Sequence, residues 1–317
     1  MRLSVVVATY NGERFLEEQL RSIVGQTRSP DEVIVTDDGS TDRTVEIAEA
    51  VLAGARPMIL VGRQGGVVPN IERGLAHATG DVIALADQDD VWRPDKLDLL
   101  TGVLGRRPEL QLVHSDARLV TADGSDLGER LLDSVSVGSG MRREIHRGDA
   151  FDVLLRRNVV TGATVMLRRE LIERALPVPD GWLHDEWLAM VAAATGRLDL
   201  VEEPLIDYRQ HEGNVVGARE LRLGGKVGRV LEPRSERNAR LLRRAEALVE
   251  RLPAMPDVSE ERIRLVEAKL GHEQRRSALA DSRLRRIPGV VRGIARDDYR
   301  RFGRGAADAI RDLVQPV

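Results

Sequence analysis

Within its first hundred residues the chain alternates short β-rich runs with helix-period stretches, and this order narrows the fold more than any other feature. Leu3 to Ala8 reads as a buried strand, after which Leu16, Leu20, Ile23 and Val24 fall on one helical face. Glu32 to Thr36 is a second strand, followed by a helix with Val45, Ala48, Val51 and Leu52 inward. Met58 to Val61 is a third, Ile71 and Leu75 mark a short helix, and Val82 to Ala86 is a fourth. Strands joined by helices are βαβ units, which require a parallel sheet.

The segments that end these strands carry the polar chemistry. Strand one runs into Thr9-Tyr10-Asn11-Gly12, strand two into Asp37-Asp38-Gly39-Ser40, and strand four into Asp87-Gln88-Asp89-Asp90. Right-handed crossovers place all these C-terminal ends along one edge, where ligands bind at the topological switch point. Five carboxylates therefore converge on one rim and repel one another unless a cation or a hydrogen-bonding ligand sits among them. Asp37 or Asp38 can accept hydrogen bonds from a base N–H or a ribose hydroxyl, while Asp87 and Asp89 can share an ion. The plainer reading, in which Asp37, Asp38 and Asp90 cap turns and helices, stays open.

The chain has no cysteine, so a metal is left to oxygen and imidazole ligands, which favours Mg²⁺ or Mn²⁺. Neither GxxxxGK[ST] nor GxGxxG occurs, which argues against a Walker-type NTPase and a dinucleotide dehydrogenase. A divalent ion bridging diphosphate oxygens can take the place of a glycine cradle.

At 317 residues the chain has room for two units, and its charge divides the same way. Residues 219–317 hold 24 Lys+Arg against 15 Asp+Glu, a net +9, whereas residues 1–218 hold 24 against 36, a net −12. The expected division is a catalytic domain over 1–218 and a basic helical region over 219–317. An acidic catalytic unit fits poorly with nucleic acid; the basic region can meet anionic lipid, an acidic acceptor, or the acidic unit itself. No run approaches the ~18 apolar residues of a membrane span, and the start MRLSVVVATYNGERF lacks a signal-peptide pattern, so a cytoplasmic enzyme is expected.

Further along, His184-Asp185-Glu186 lies among Trp182, Leu183, Trp187 and Leu188, an apolar setting that raises a carboxylate toward the range of a useful base. The same residues also read as a helix start with acidic first-turn side chains. His211 reads equally as a metal ligand or as a loop histidine bonded to a carbonyl. Beyond Arg219, one stripe joins Leu241, Leu242, Ala245, Leu248, Val249 and Leu252, another joins Tyr299, Phe302, Ala306, Ala309, Ile310 and Leu313, and both are expected to pack on each other or on the catalytic unit. Ile287, Val290, Val291 and Ile294, among Arg285, Arg286, Arg292 and Arg296, either lie on the inner face of an anionic membrane or belong to a solvated basic helix.

The segments VVVATYNGERFLEEQLRSIVGQT, VIVTDDGSTDRT and ALADQDDVWRPDKL resemble, in order, the donor-site blocks of the family-2 inverting glycosyltransferases. NVVTGATVMLRREL, HDEWLAMVAAATG and PLIDYRQHEGNVVGAR continue the resemblance toward polysaccharide glycosyltransferases that include rhamnosyltransferases. The resemblance implies an α/β chain with a GT-A (Rossmann-like), mostly parallel sheet flanked by helices, followed by a C-terminal helical extension. It implies a UDP- or dTDP-sugar donor, transfer with inversion to a hydroxyl of a saccharide or lipid-linked acceptor, and Mn²⁺ or Mg²⁺ as cofactor. By the same resemblance Thr9, Tyr10, Asn11, Asp37, Asp38 and Asp87 bind the nucleotide, and Asp89, with His211, meets the metal. Gly162 and Trp187 line the sugar and acceptor cleft, and Asp185 is the catalytic base. The chain departs from the family pattern at His184-Asp185-Glu186, where Glu-Asp is common, and at Gln64, where asparagine is common. The alternatives are a nucleotidyltransferase and a non-catalytic nucleotide-sugar-binding protein.

Overall fold

The structure, a computed structural model, describes residues 1–55, 57–211 and 234–316. The expected boundary at 218/219 lies outside the described residues. The first part runs β1 (Leu3–Thr9), α1 (Leu16–Val24), β2 (Glu32–Asp37), α2 (Thr44–Leu52), β3 (Met58–Val61), α3 (Val67–His77) and β4 (Val82–Ala86). There follow β5 (Val91–Trp92), α4 (Lys96–Arg106), β6 (Leu110–Thr121), β7 (Asp126–Arg130), α5 (Leu131–Ser134), α6 (Ser139–Arg147) and α7 (Ala150–Arg156). The sheet part closes with β8 (Val165–Arg168), α8 (Arg169–Ala175), α9 (His184–Thr195) and β9 (Arg197–Gln210).

One mixed sheet has the order β3-β2-β1-β4-β8-β6-β9-β5, with β7 paired to β6. The strands β3, β2, β1 and β4 are parallel, as the alternating pattern requires. Strand β8 then runs antiparallel between β4 and β6, and β6 pairs in parallel with β9. In register, Thr9 lies opposite Asp37, Asp37 opposite Val61, and Val7 opposite Ala86. That alignment brings the polar segments after β1, β2 and β4 to one edge.

Both faces of the sheet are covered, which is why its central strands are nearly continuous runs of apolar residues. Leu3, Val5 and Val7 of β1 pack with Leu16, Leu20 and Ile23 of α1 and Leu97, Leu100 and Leu104 of α4. Val6, Ile34, Ile83 and Leu85 point the other way, into a core shared with α3, α7 and α9. Each fully buried aliphatic side chain stabilises the fold by roughly 1.5–3 kcal/mol. Helix α9 is buried over Trp187–Thr195, and its first turn, His184-Asp185-Glu186, reaches the cleft together with Met190. A helix apolar on all sides belongs inside a core, so the polar residues at its start sit on a rigid support.

The C-terminal region contributes α10 (Arg234–Arg251), α11 (Glu260–Ser277), α12 (Arg283–Ala295), α13 (Asp298–Phe302) and α14 (Ala306–Val314). Ala247, Leu248 and Leu252, with Met255, Val258 and Val266, join the α9 side of the core. The first expected stripe therefore docks on the catalytic unit. The second is corrected: Ala309, Tyr299 and Phe302 are buried, but Ile310 is 57% exposed, and Asp308 and Asp312 turn inward instead. The inward turn is set by charge pairing, because Asp312 meets Arg276 at 2.7 Å and Asp308 meets Arg237 at 2.9 Å.

Candidate active site

At the end of β1, the Thr9 hydroxyl donates to Asp37 Oδ2 at 2.8 Å. Asp37 also accepts from the backbone N–H groups of Gly39 and Ser40 and from the Ser40 hydroxyl. Fully buried and multiply bonded, Asp37 holds the turn after β2 in shape. Its neighbour Asp38 lines the cleft and accepts from Gly65 N–H at 2.8 Å and Gly66 N–H at 2.7 Å. Those bonds pin a loop in which Gln64 and Gly66 have φ of 49° and 89°. Gln64 thus holds a left-handed backbone that asparagine tolerates better than most residues.

Asn11, itself at φ 47°, accepts from Thr41 N–H at 2.9 Å while its own N–H donates to Ser40. It ties the first two loops together and does not line the cleft. Tyr10 does line it, and the Gln88 side-chain amide bonds both the N–H and the C=O of Tyr10. A Cβ at Gly12 would lie 2.3 Å from Gln88 Oε1, so glycine is needed for this bridge between the β1 and β4 loops.

Asp87, Asp89 and Asp90 present carboxylate oxygens that all lie within 4.8 Å of one another. Burial, reinforced by the charges of Asp89 and Asp185, pushes Asp87 up to about 7. Burial and the charges of Asp89 and Asp87 hold Asp90 well above the usual range. Asp90 Oδ1 accepts from Arg209 N–H at 3.0 Å, while its buried Oδ2 has no hydrogen-bond partner among the described residues. His211 Nε2 lies 2.8 Å from Asp89 Oδ2, and its ring stacks on Phe15 at 4.8 Å. Crowded carboxylate oxygens, an orphaned buried one and a neighbouring imidazole form a donor set that fits a Mg²⁺ or Mn²⁺ ion.

Asp185 faces this cluster from the first turn of α9. Its Oδ2 accepts from Gly162 N–H at 3.0 Å and its Oδ1 from Glu186 N–H at 2.8 Å. Burial pushes its carboxyl up to about 6 despite those bonds. Gly162 is fitted to the place, since a Cβ there would lie 2.9 Å from His184 Nε2. Glu186 pairs with Arg244 of α10 at 3.0 Å.

Thr9, Asp38, Asp87, Asp89, Gly162 and Asp185 line one cleft of about 1190 Å³, while Asp37, Asp90 and His211 stand behind its wall. Trp187 is corrected out of it. Its side chain is fully buried and donates to Ala175 C=O at 2.7 Å, while Trp182, 5.4 Å away edge-on, lines the cleft. Position 187 falls on the side of α9 that packs against α8, which burial directs inward.

Three site residues escaped the sequence reading. Lys96 is buried, donates to Ala163 C=O at 2.8 Å, lies 3.6 Å over the Trp92 ring, and lowers the pKa values of Asp87 and Asp90. Arg209 bonds the Asp89 C=O and Glu18. Arg244 lies 4.0 Å over the Trp182 ring besides pairing with Glu186. The WRPDKL and YRQH segments held the first two in plain view, adjacent to the acidic cluster and His211.

Residues 4–174 match the sequence profile of the family described as Glycosyl transferase family 2. Over 230 residues the chain is 30% identical to an uncharacterized glycosyltransferase of Nostoc sp., a match covering 68% of this chain and 66% of that protein. Over 232 residues it is 28% identical to the dTDP-rhamnosyl transferase RfbG of Shigella flexneri, covering 67% and 74%. This chain thus spans just under two thirds of the length of the Nostoc relative. In fold it is similar to S. aureus TarS in complex with UDP-GlcNAc, with a TM-score of 0.59 at 16% identity over 93% of this chain and 81% of that one. A mannosyltransferase from Pyrobaculum calidifontis, in complex with GDP-Man and Mn²⁺, gives a TM-score of 0.54 at 20% identity over 93% and 75%.

Proposed function

This chain belongs to glycosyl transferase family 2, and from that premise we propose that it moves a sugar from a UDP- or dTDP-sugar to a hydroxyl of a saccharide or lipid-linked acceptor, with inversion. The observation that carries the reading is the sharing of one cleft by Asp38, the Asp87–Asp89 pair and Asp185. Membership in the family displaces the nucleotidyltransferase and non-catalytic alternatives. The likeness to the Shigella rhamnosyltransferase supports rhamnose as the sugar.

In this reading the nucleoside lies over the loops that Thr9, Tyr10 and Asp38 shape. Asp37 and Asn11 act by holding those loops. Asp87 and Asp89 face the diphosphate, with Asp89 and His211 as the ion's direct ligands. When bound, a Mn²⁺ or Mg²⁺ ion supplies positive charge that offsets the leaving diphosphate. Lys96 tempers the mutual repulsion of the acidic cluster. Asp185 accepts the acceptor hydroxyl's proton as its oxygen bonds the anomeric carbon and the bond to the diphosphate oxygen breaks, the electron pair leaving with the diphosphate. Gly162 N–H and Glu186 N–H hold the Asp185 carboxylate in place. Residues 1–218 carry this chemistry, and the region from 219 completes the cleft through α10.

A panel of UDP- and dTDP-sugars, read by release of nucleotide diphosphate in the presence of saccharide acceptors, tests the proposal. Turnover with dTDP-rhamnose above every other donor is the expected result. Release of pyrophosphate instead, or no turnover with any donor, would overturn it.

A further inference from the structure

We propose that α12 and α14 form a surface that lies on an anionic lipid bilayer and sets the cleft beside it. On α12, Leu284, Ile287, Val291 and Ile294 are 78%, 45%, 56% and 54% exposed. Their spacing of three, four and three residues puts them on one stripe of the helix. Ile310 and Val314 of α14, which packs against α12, are 57% and 44% exposed. An adjoining face of α12 is taken up by the protein. Val290 is buried there, and Arg286 is buried with its guanidinium bonded to the carbonyls of Ala280, Asp281, Asp312 and Gln315. Val290 and Arg286 are thereby removed from the set that the sequence offered either to a membrane or to a solvated helix face, and Leu284 is added.

The charges around this stripe select the partner. Arg292 and Arg285 lie about 80–100° round the helix from Leu284 on one side of the stripe, Arg296 follows just past the helix end, and Arg283 lies about 20° from Ile294 on the other side. All four are exposed, and none is in an ion pair among the described residues. An apolar stripe edged with cations fits the boundary between headgroups and acyl chains of an anionic membrane. A symmetric dimer through the same face would bring these arginines against their own copies, which disfavours a second chain as the occupant. Helix α14 connects the surface to the site. Its Asp308 and Arg311 line the cleft, while Ile310 and Val314 face outward. Seated on lipid, the protein would open its cleft toward acceptors carried at the bilayer. That use rests on the proposed acceptor class, whereas the binding does not.

Flotation of the full-length protein with phosphatidylglycerol-containing vesicles, compared with pure phosphatidylcholine, tests the surface without any turnover. Preferential binding to the anionic vesicles that weakens with added salt is expected. Replacing Arg285 or Arg292 with Gln should lower partitioning about fivefold each, and Ile287→Asp with Ile294→Asp should abolish it. These variants lie outside the cleft, so unchanged circular dichroism and unchanged nucleotide diphosphate affinity show that the fold survives. Failure of the wild-type protein to float, equal binding by the variants, or a dimer in lipid-free solution dispersed by Ile287→Asp would each overturn the proposal.

Discussion

Arg244 holds the carboxylate of Glu186 at 3.0 Å, so a helix of the C-terminal region occupies the acid adjacent in sequence to Asp185. The pairing separates two carboxylates that the sequence left equivalent. Glu186 has a guanidinium partner, whereas Asp185 is held only by backbone N–H groups. A base needs an oxygen that can receive a proton, and a carboxylate bound to a cation is a poor one. The geometry thereby favours Asp185.

Replacing Asp185 with Asn keeps its shape and removes the proposed base. A general base typically contributes about 10²–10⁴ in rate, so kcat should fall by at least about 10² with donor affinity nearly unchanged. Glu186→Gln should retain most turnover. Steady-state kinetics on both variants decide the matter: a crippled Glu186→Gln beside an active Asp185→Asn would move the base by one residue.

As the proposed base Asp185 has to be ionised, and its carboxyl is raised to about 6. The pH profile of kcat/KM should therefore climb through pH ~6 and flatten above it. The sign for stability is opposite. Between the ordinary Asp range and pH ~6 the folded protein holds more protons at this site than the unfolded chain, so the site loses stability as pH rises through that window. Denaturant titrations at neutral pH should find Asp185→Asn more stable than the wild type, and equal stability would contradict the burial argument.

Metal dependence follows from the crowding of Asp87, Asp89 and Asp90. Chelation should remove turnover, and Mn²⁺ or Mg²⁺ should restore it. Asp89→Ala should lose the ion and most of the activity while leaving the circular dichroism spectrum intact. In the metal-free protein the same change should raise stability, because one member of a repelling set is gone. Full activity in excess chelator would eliminate the role assigned to the cluster.

Much of this site was legible in the sequence because topology did the assembling. Once Leu3–Ala8, Glu32–Thr36 and Val82–Ala86 read as parallel strands, Thr9, Asp38 and Asp87 had to meet at one edge. The misreadings have a different origin. Trp182 and Trp187 flank the same acidic motif, and only the packing of α9 against α8 tells which one is interior. The second mixed half of the sheet was not read, since β6, β8 and β9 pair across long separations with no crossover pattern between them. The apolar period alone puts Ile310 on the inward stripe with Ala309 and Leu313. Asp308 and Asp312 reverse that phase by pairing with Arg237 and Arg276, 71 and 36 positions away.

Asp312 makes that reversal testable. Its carboxylate is fully buried, accepts from Arg276 Nε at 2.7 Å and a terminal guanidinium nitrogen at 3.1 Å, and takes the Tyr299 hydroxyl at 2.9 Å. Arg276 also meets Glu273 at 2.9 Å, which Lys269 pairs at 2.7 Å, so the charges form a connected interior network. Removing one partner of a buried pair leaves the other charge unmatched, at a cost of about 3–5 kcal/mol. Asp312→Ala should therefore unfold the C-terminal helices early in a denaturant titration followed by circular dichroism. Glu260→Ala, which breaks the exposed pair with Arg264, should cost less than about 1 kcal/mol. Similar losses in the two variants would mean that the buried network is not what orients α14, and that the exposure of Ile310 needs another cause.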